Sequence, residues 1–132
     1  MIHGDLTEKI IKISFDVSNE LGPGFLESVY QKSLLLALQQ EGLKAESQKQ
    51  LLVRFRGQCV GEFYADIIVE DVVLVELKAV KALAPEHSAQ VLNYLKATGM
   101  EVGLLINFGT QKAEIRRFIN HFLTIHSSGL SL

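Results

Sequence analysis

The chain has 132 residues, 48% hydrophobic and 21% charged, with two prolines and no tryptophan; the length favours one core, and the composition excludes a disordered, collagenous or low-complexity polymer. Thirteen basic against fifteen acidic residues give a formal charge of -2, which excludes polycationic attraction as the main source of any nucleic-acid affinity but leaves a local basic patch open. A lone Cys59, no Cys/His cluster at zinc spacing, no leader-like start and no apolar run of membrane-spanning length predict a soluble protein of a reducing compartment, the cytoplasm, with no membrane contact.

Asp5 followed by Glu8 predicts a helix start of the capping-box type, and Leu6, Ile10, Ile13, Val17 and Leu21 then recur at helical intervals. Gly22-Pro23-Gly24 stops this helix. A second helix follows, with Leu26, Tyr30, Leu34, Ala37 and Leu38 as its inner stripe and Gly42 as its stop. From Gln50 the period changes to two: Leu51, Val53 and Phe55 alternate with Leu52, Arg54 and Arg56 up to a turn at Gly57. A second strand, Val60 to Val69, places Val60, Glu62, Tyr64, Asp66 and Ile68 on one face. The third, Val72 to Val80, is apolar enough for a central strand but is interrupted by Glu76 and Lys78. Pro85, Glu86 and Gly99 bracket a third helix carrying His87, Gln90, Val91, Tyr94 and Leu95 on one side, and Val102 to Asn107 forms a short apolar strand. Residues 112–123 read equally as a helix (Ile115, Phe118, Ile119, Phe122) or as a strand from Glu114. The tail 127–132 is expected to be mobile, leaving 1–126 as a single domain. The resulting class is α/β, a mixed α+β sheet flanked by helices, in which the helix at 85–98 is long enough to return the chain parallel to the central strand.

Glu76 and Lys78 are the anomaly. An unpaired buried ion costs several kcal/mol, more than the roughly 1.5–3 kcal/mol gained by burying a valine or leucine. Alternate strand residues share a face, so both side chains emerge into one site, about 7 Å apart. They form either an ion pair or a functional centre. Asp66 interrupts the neighbouring strand in the same way, and whether it meets Glu76 depends on register. A two-residue turn at Glu70-Asp71 sends the two to opposite faces, whereas a three-residue connection, Glu70 to Val72, sets them directly opposite. Opposed carboxylates repel unless a cation lies between them, and hard oxygen donors suit magnesium or manganese. Glu27 lies beside the inner stripe of its helix, from which it can reach the sheet or serve as a first-turn carboxylate favoured by the helix dipole. His87, Gln90 and Tyr94 can face one point, or form a polar helix edge.

Gly24-Phe25-Leu26-Glu27-Ser28-Val29-Tyr30 resembles the signature of the small bacterial and archaeal GxxExxY family, placed in the PD-(D/E)xK nuclease superfamily. Asp66 followed by Glu76-Leu77-Lys78 resembles the acidic residue and ExK strand of that superfamily, and Gln90-Val91-Leu92-Asn93-Tyr94 is similar to the QxxxY motif of its RecB-like branch. The resemblance runs from Leu21 to Phe108, and the order of the motifs is more specific than any one of them.

The resemblance implies a restriction-endonuclease-like αβββαβ core and a magnesium- or manganese-dependent nuclease that hydrolyses phosphodiester bonds in DNA. It implies that Glu27, Asp66 and Glu76 hold the metal, assisted by the Leu77 carbonyl. Lys78 then positions or polarises the attacking water, Gln90 and Tyr94 orient Lys78 or a phosphate oxygen, and Tyr30 supports Glu27. Lys44, Lys49, Arg54, Arg56, Lys78, Lys81, Lys96, Arg116 and Arg117 are available for phosphate contacts, or form an ordinary solvated surface. No recognition helix is apparent, so specificity is expected from a homodimer or a partner protein. The alternative is a non-catalytic nuclease-like module that binds nucleic acid or a protein and in which Glu76 and Lys78 simply pair.

Overall fold

The computed structural model describes residues 1–121, so the expectations for the tail at 127–132, for the domain end at 126 and for Phe122 fall outside it. In chain order the elements are α1 (Gly4–Leu21), α2 (Glu27–Gln40), β1 (Ala45–Phe55), β2 (Gln58–Val69), β3 (Val73–Lys78), α3 (Pro85–Thr98), β4 (Val102–Asn107) and β5 (Glu114–Ile119). Among the described residues, one five-stranded sheet runs β1-β2-β3-β4-β5. Within it β3 and β4 are parallel, closed by the α3 crossover, while β1–β2, β2–β3 and β4–β5 are antiparallel. This is the mixed α+β, restriction-endonuclease-like architecture expected, with helices on both sheet faces. No helix among the described residues is long and apolar enough to cross a membrane.

The layers follow from alternation. Val73, Val75 and Leu77 of β3 join Val102, Leu104 and Ile106 of β4 beneath Ile10, Val17, Tyr30, Leu34 and Leu38 of α1 and α2. Leu74 and Leu105 point the other way, against Val91 and Leu95 of α3. Both faces of β3 and β4 are thus covered, which explains their near-continuous apolar runs.

Three local expectations change, and one open reading is decided. α1 starts at Gly4 with no side-chain cap, so Asp5 lies within its first turn and no capping box forms. β1 begins at Ala45, five residues before the apolar alternation. After the buried Ala45 its first half is polar and mostly exposed, and is held by pairing with β2 and by a charge cluster in which Lys44 meets Asp71 at 2.8 Å and Glu46 at 3.6 Å. β3 stops at Lys78, short of Val80, because the Asn107 side chain takes up both the N–H and the C=O of Val80. The ambiguous stretch is a strand, β5, because β4 offers it an antiparallel edge. The β1–β2 hairpin turns through Arg56 (φ 50°) and Gly57 (φ 79°), the left-handed pair that a two-residue hairpin turn requires.

Candidate active site

The β2–β3 connection decides which carboxylates meet. Val69 pairs with Val73 and Ile67 with Val75, so Glu70, Asp71 and Val72 form the three-residue connection. Continued by one residue, this register brings Asp66 opposite Glu76. β2 also departs from the single alternation expected of it. Ile67 and Val69 pack toward α1 and α2, while Ala65 packs toward α3 and Phe63 stacks on Tyr94 of α3, ring centroids 3.6 Å apart. The strand changes faces at Asp66. In β1 the break falls at Gln48 (φ 53°), between the pairs Ser47–Ile67 and Lys49–Ala65. At this point the Asp66 carboxylate accepts the Leu77 N–H at 2.8 Å.

Glu76 follows Leu74 on the α3 side of β3 and is only 5% exposed. Its Oε1 is buried without a hydrogen-bond partner. Burial first, then the Asp66 charge and a shared hydrogen bond with Asp66, push its carboxyl up to about 9, against the lowering influence of Lys78. Among the described residues no ion pair joins Glu76 to Lys78.

Glu27 opens α2 as an exposed residue near enough to Asp66, Lys78 and His87 for their charges to act on it, and Asp66, Glu76, Glu27 and Lys78 together make up the acidic hollow. Partial desolvation and then the Asp66 charge raise its carboxyl, while Lys78 and His87 oppose the rise. Two side chains hold it there. The Tyr30 hydroxyl donates to the Gly22 carbonyl at 2.5 Å and accepts the Phe25 N–H at 3.2 Å, and its buried ring stacks on Phe108. Gln31, one turn after Glu27, donates to the Asp66 carbonyl at 3.1 Å, tying α2 to the altered point of β2.

On α3, Gln90 donates to the Tyr94 hydroxyl at 2.9 Å, and this is the hydrogen bond its side chain makes. Tyr94 has its phenol raised by burial and then by the Glu76 charge. His87 uses Nδ1 to accept the Ala84 N–H at 3.0 Å, which caps the start of the helix.

Sequence reasoning missed Gln31, Phe63 and, above all, Asn107. Asn107 lies beside Lys78 in the parallel register and is fully buried. Its Oδ1 accepts the Val80 and Gly109 N–H groups at 3.0 Å, and its Nδ2 donates to the Val80 carbonyl and to Glu114 at 2.9 Å. Both amide donors and both lone pairs are used. Gly109 completes the clasp, because a Cβ there would stand 2.2 Å from the Val80 oxygen. A polar residue ending an apolar strand, as Glu76 and Lys78 do, was the available signal. Asn107→Ala is expected to cost roughly 2–3 kcal/mol by stranding buried backbone groups, measured by urea unfolding.

Of the basic residues, Lys44 and Lys49 are engaged with Glu46 and Asp71, Arg116 with Ser88, and Arg117 with Thr7 and the Ile2 carbonyl. Lys78 adjoins the hollow.

Among the described residues, no group of three or more His, Cys, Asp or Glu side chains stands close enough to hold an ion as it is. The donors nonetheless fit a small hard cation, which takes one or two carboxylates and completes its shell with water and phosphate oxygens. Asp66 and Glu76 supply such a pair, and the orphaned Glu76 Oε1 lacks the partner that an ion would be.

Comparison with curated proteins returned no match. Among solved structures, the crystal structure of SSO0001 is similar in fold, with a TM-score of 0.55 and 18% identity over 80% of this chain, which spans 59% of that one. The family model for the PD-(D/E)XK nuclease superfamily matches residues 4–118, a span that takes in α1, α2, α3 and nearly all of the sheet. With most of its length matched, and with an acidic pair and a lysine at the end of its central strands, this chain belongs to the PD-(D/E)XK nuclease superfamily.

Proposed function

We propose that this chain is a divalent-metal-dependent nuclease that hydrolyses phosphodiester bonds in DNA, a GxxExxY-type member of the RecB-like branch. The observation that carries the reading is the Asp66–Glu76 pair with its buried, partnerless Oε1. Two carboxylates withdrawn from water side by side cost stability unless a cation joins them. Glu27, Asp66, Glu76 and the Leu77 carbonyl are the groups that would hold magnesium or manganese. When bound, such an ion lowers the pKa of its water and neutralises charge on the scissile phosphate.

The chain's own residues do the rest. Lys78 brings a positive charge to the hollow, where negative charge builds on the phosphoryl oxygens in the transition state. Tyr94, its phenol raised, keeps its proton at neutral pH and serves with Gln90 as a fixed polar rim. The Asn107 clasp holds the strand end that carries Lys78, and Tyr30 and Gln31 hold Glu27. With few base-reading features of its own, the domain takes specificity from a second copy or a partner protein.

The test is calorimetric titration of manganese and magnesium into the full chain, alongside cleavage of single-stranded, double-stranded and branched DNA and of RNA. One saturable site and metal-dependent cleavage are expected, with cleavage at least about 100-fold slower in Asp66→Asn. Absence of saturable binding overturns the reading in favour of a non-catalytic module.

A further inference from the structure

Next to the acidic hollow, an open cleft of about 360 Å³ is lined by Gly24 and Phe25 before α2, by Ala79, Val80 and Lys81 after β3, and by Gly109 after β4. It lies at the carboxyl end of the parallel β3–β4 pair, where ligands of open α/β sheets bind. Chain connectivity joins it to the hollow on both sides: Phe25 precedes Glu27 by two residues and Ala79 follows Lys78 directly.

Its walls are held rigidly. The Phe25 N–H is bound to the Tyr30 hydroxyl, and the two rings meet edge to face with centroids 6.1 Å apart. Val80 is clasped by Asn107 and abutted by Gly109. Yet Phe25 is 48% exposed and the adjacent Leu26 76% exposed. Folding alone favours covering such a pair, and here the backbone is pinned so that the ring borders an open cleft. Gly24, Ala79 and Gly109 contribute almost no side-chain bulk, and Lys81 adds an exposed cation.

We propose that this cleft is a nucleobase subsite in which an unpaired base, next to the phosphate held at the hollow, stacks on Phe25 while Lys81 meets the adjoining phosphate. Aromatic rings accept any base, because every base has a π-face. A base inside a duplex has both faces already covered, so the substrate class is single-stranded or locally unpaired polynucleotide. This rests on the nuclease reading.

The experiment uses the full chain carrying Glu76→Gln, to suppress cleavage, and single-stranded oligonucleotides with 2-aminopurine placed at successive positions. One position is expected to change its fluorescence on binding. Phe25→Ala should then weaken binding about five- to 100-fold and abolish that change, whereas Phe25→Trp should keep binding within about twofold. An abasic nucleotide at the same position should erase the difference in binding that Phe25→Ala makes. In parallel, metal-dependent cleavage is followed in chains with native Glu76. Cleavage that continues with Phe25→Ala leaving binding and KM unchanged, or a duplex bound equally well without dependence on Phe25, overturns the subsite and leaves the nuclease reading standing. Absence of both oligonucleotide binding and metal-dependent cleavage in the native chain overturns both.

Discussion

In the metal-free protein, Glu76→Gln is expected to raise thermal stability at pH 7 to 8 and to leave it nearly unchanged at pH 4. The folded chain holds the Glu76 carboxyl at about 9, well above its ordinary value of 4.5. Between those values the folded state keeps a proton that the unfolded chain releases, so the stability present below pH 4.5 is lost as pH rises toward 9. By pH 7 the loss is of the order of 3 kcal/mol. Glutamine abolishes this dependence and can donate to Asp66. Asp71, lowered by its hydrogen bond from Lys44, acts in the opposite sense, losing its contribution as pH falls through the acid range. Saturating manganese should stabilise the native chain by mass action, most strongly at the higher pH, and should do little for Glu76→Gln. Melting curves with and without metal across this range are the measurement. A native chain whose metal-free stability does not fall from pH 5 to pH 8, and which Glu76→Gln does not improve, removes the buried acidic pair from the account.

Lys78→Ala is expected to slow metal-dependent cleavage roughly 100- to 1,000-fold, the usual loss when one stabilising donor leaves a transition state. Metal-induced stabilisation should survive, because the carboxylates remain and a neighbouring positive charge that opposes cation binding is removed. Lys78→Arg should recover part of the rate, since the charge is kept while the compact ammonium is replaced by a planar fork. Single-turnover cleavage at saturating substrate separates this effect from weaker binding. A rate unchanged in Lys78→Ala assigns the lysine to the surface and leaves the chemistry to other groups.

Much of the candidate site was legible as a breach of hydrophobic pattern. Asp66, Glu76 and Lys78 stand where strand periodicity calls for apolar side chains, and the cost of burying charge marks them without reference to any fold. Asn107 breaks the same pattern and could have been read the same way. Gln31 and Phe63 could not, because glutamine beside a helix stripe and phenylalanine in a strand violate nothing. Their roles exist only through the Asp66 carbonyl and the Tyr94 ring. The first half of β1 was hidden because its residues are polar, and its strand state comes from β2 and a charge cluster.

Helix ends at Gly22, Gly42 and Gly99, the hairpin at Gly57 and the buried character of β3 and β4 were set by local chemistry, since backbone freedom and apolar period depend on near neighbours. Contacts distant in the chain decided three other things: strand over helix at 114–119, the change of face at Asp66, and the register that brings Asp66 to Glu76. A shift of one residue in that register sends the carboxylates to opposite faces, and the layers packed on both sides, not the turn residues alone, select between the two.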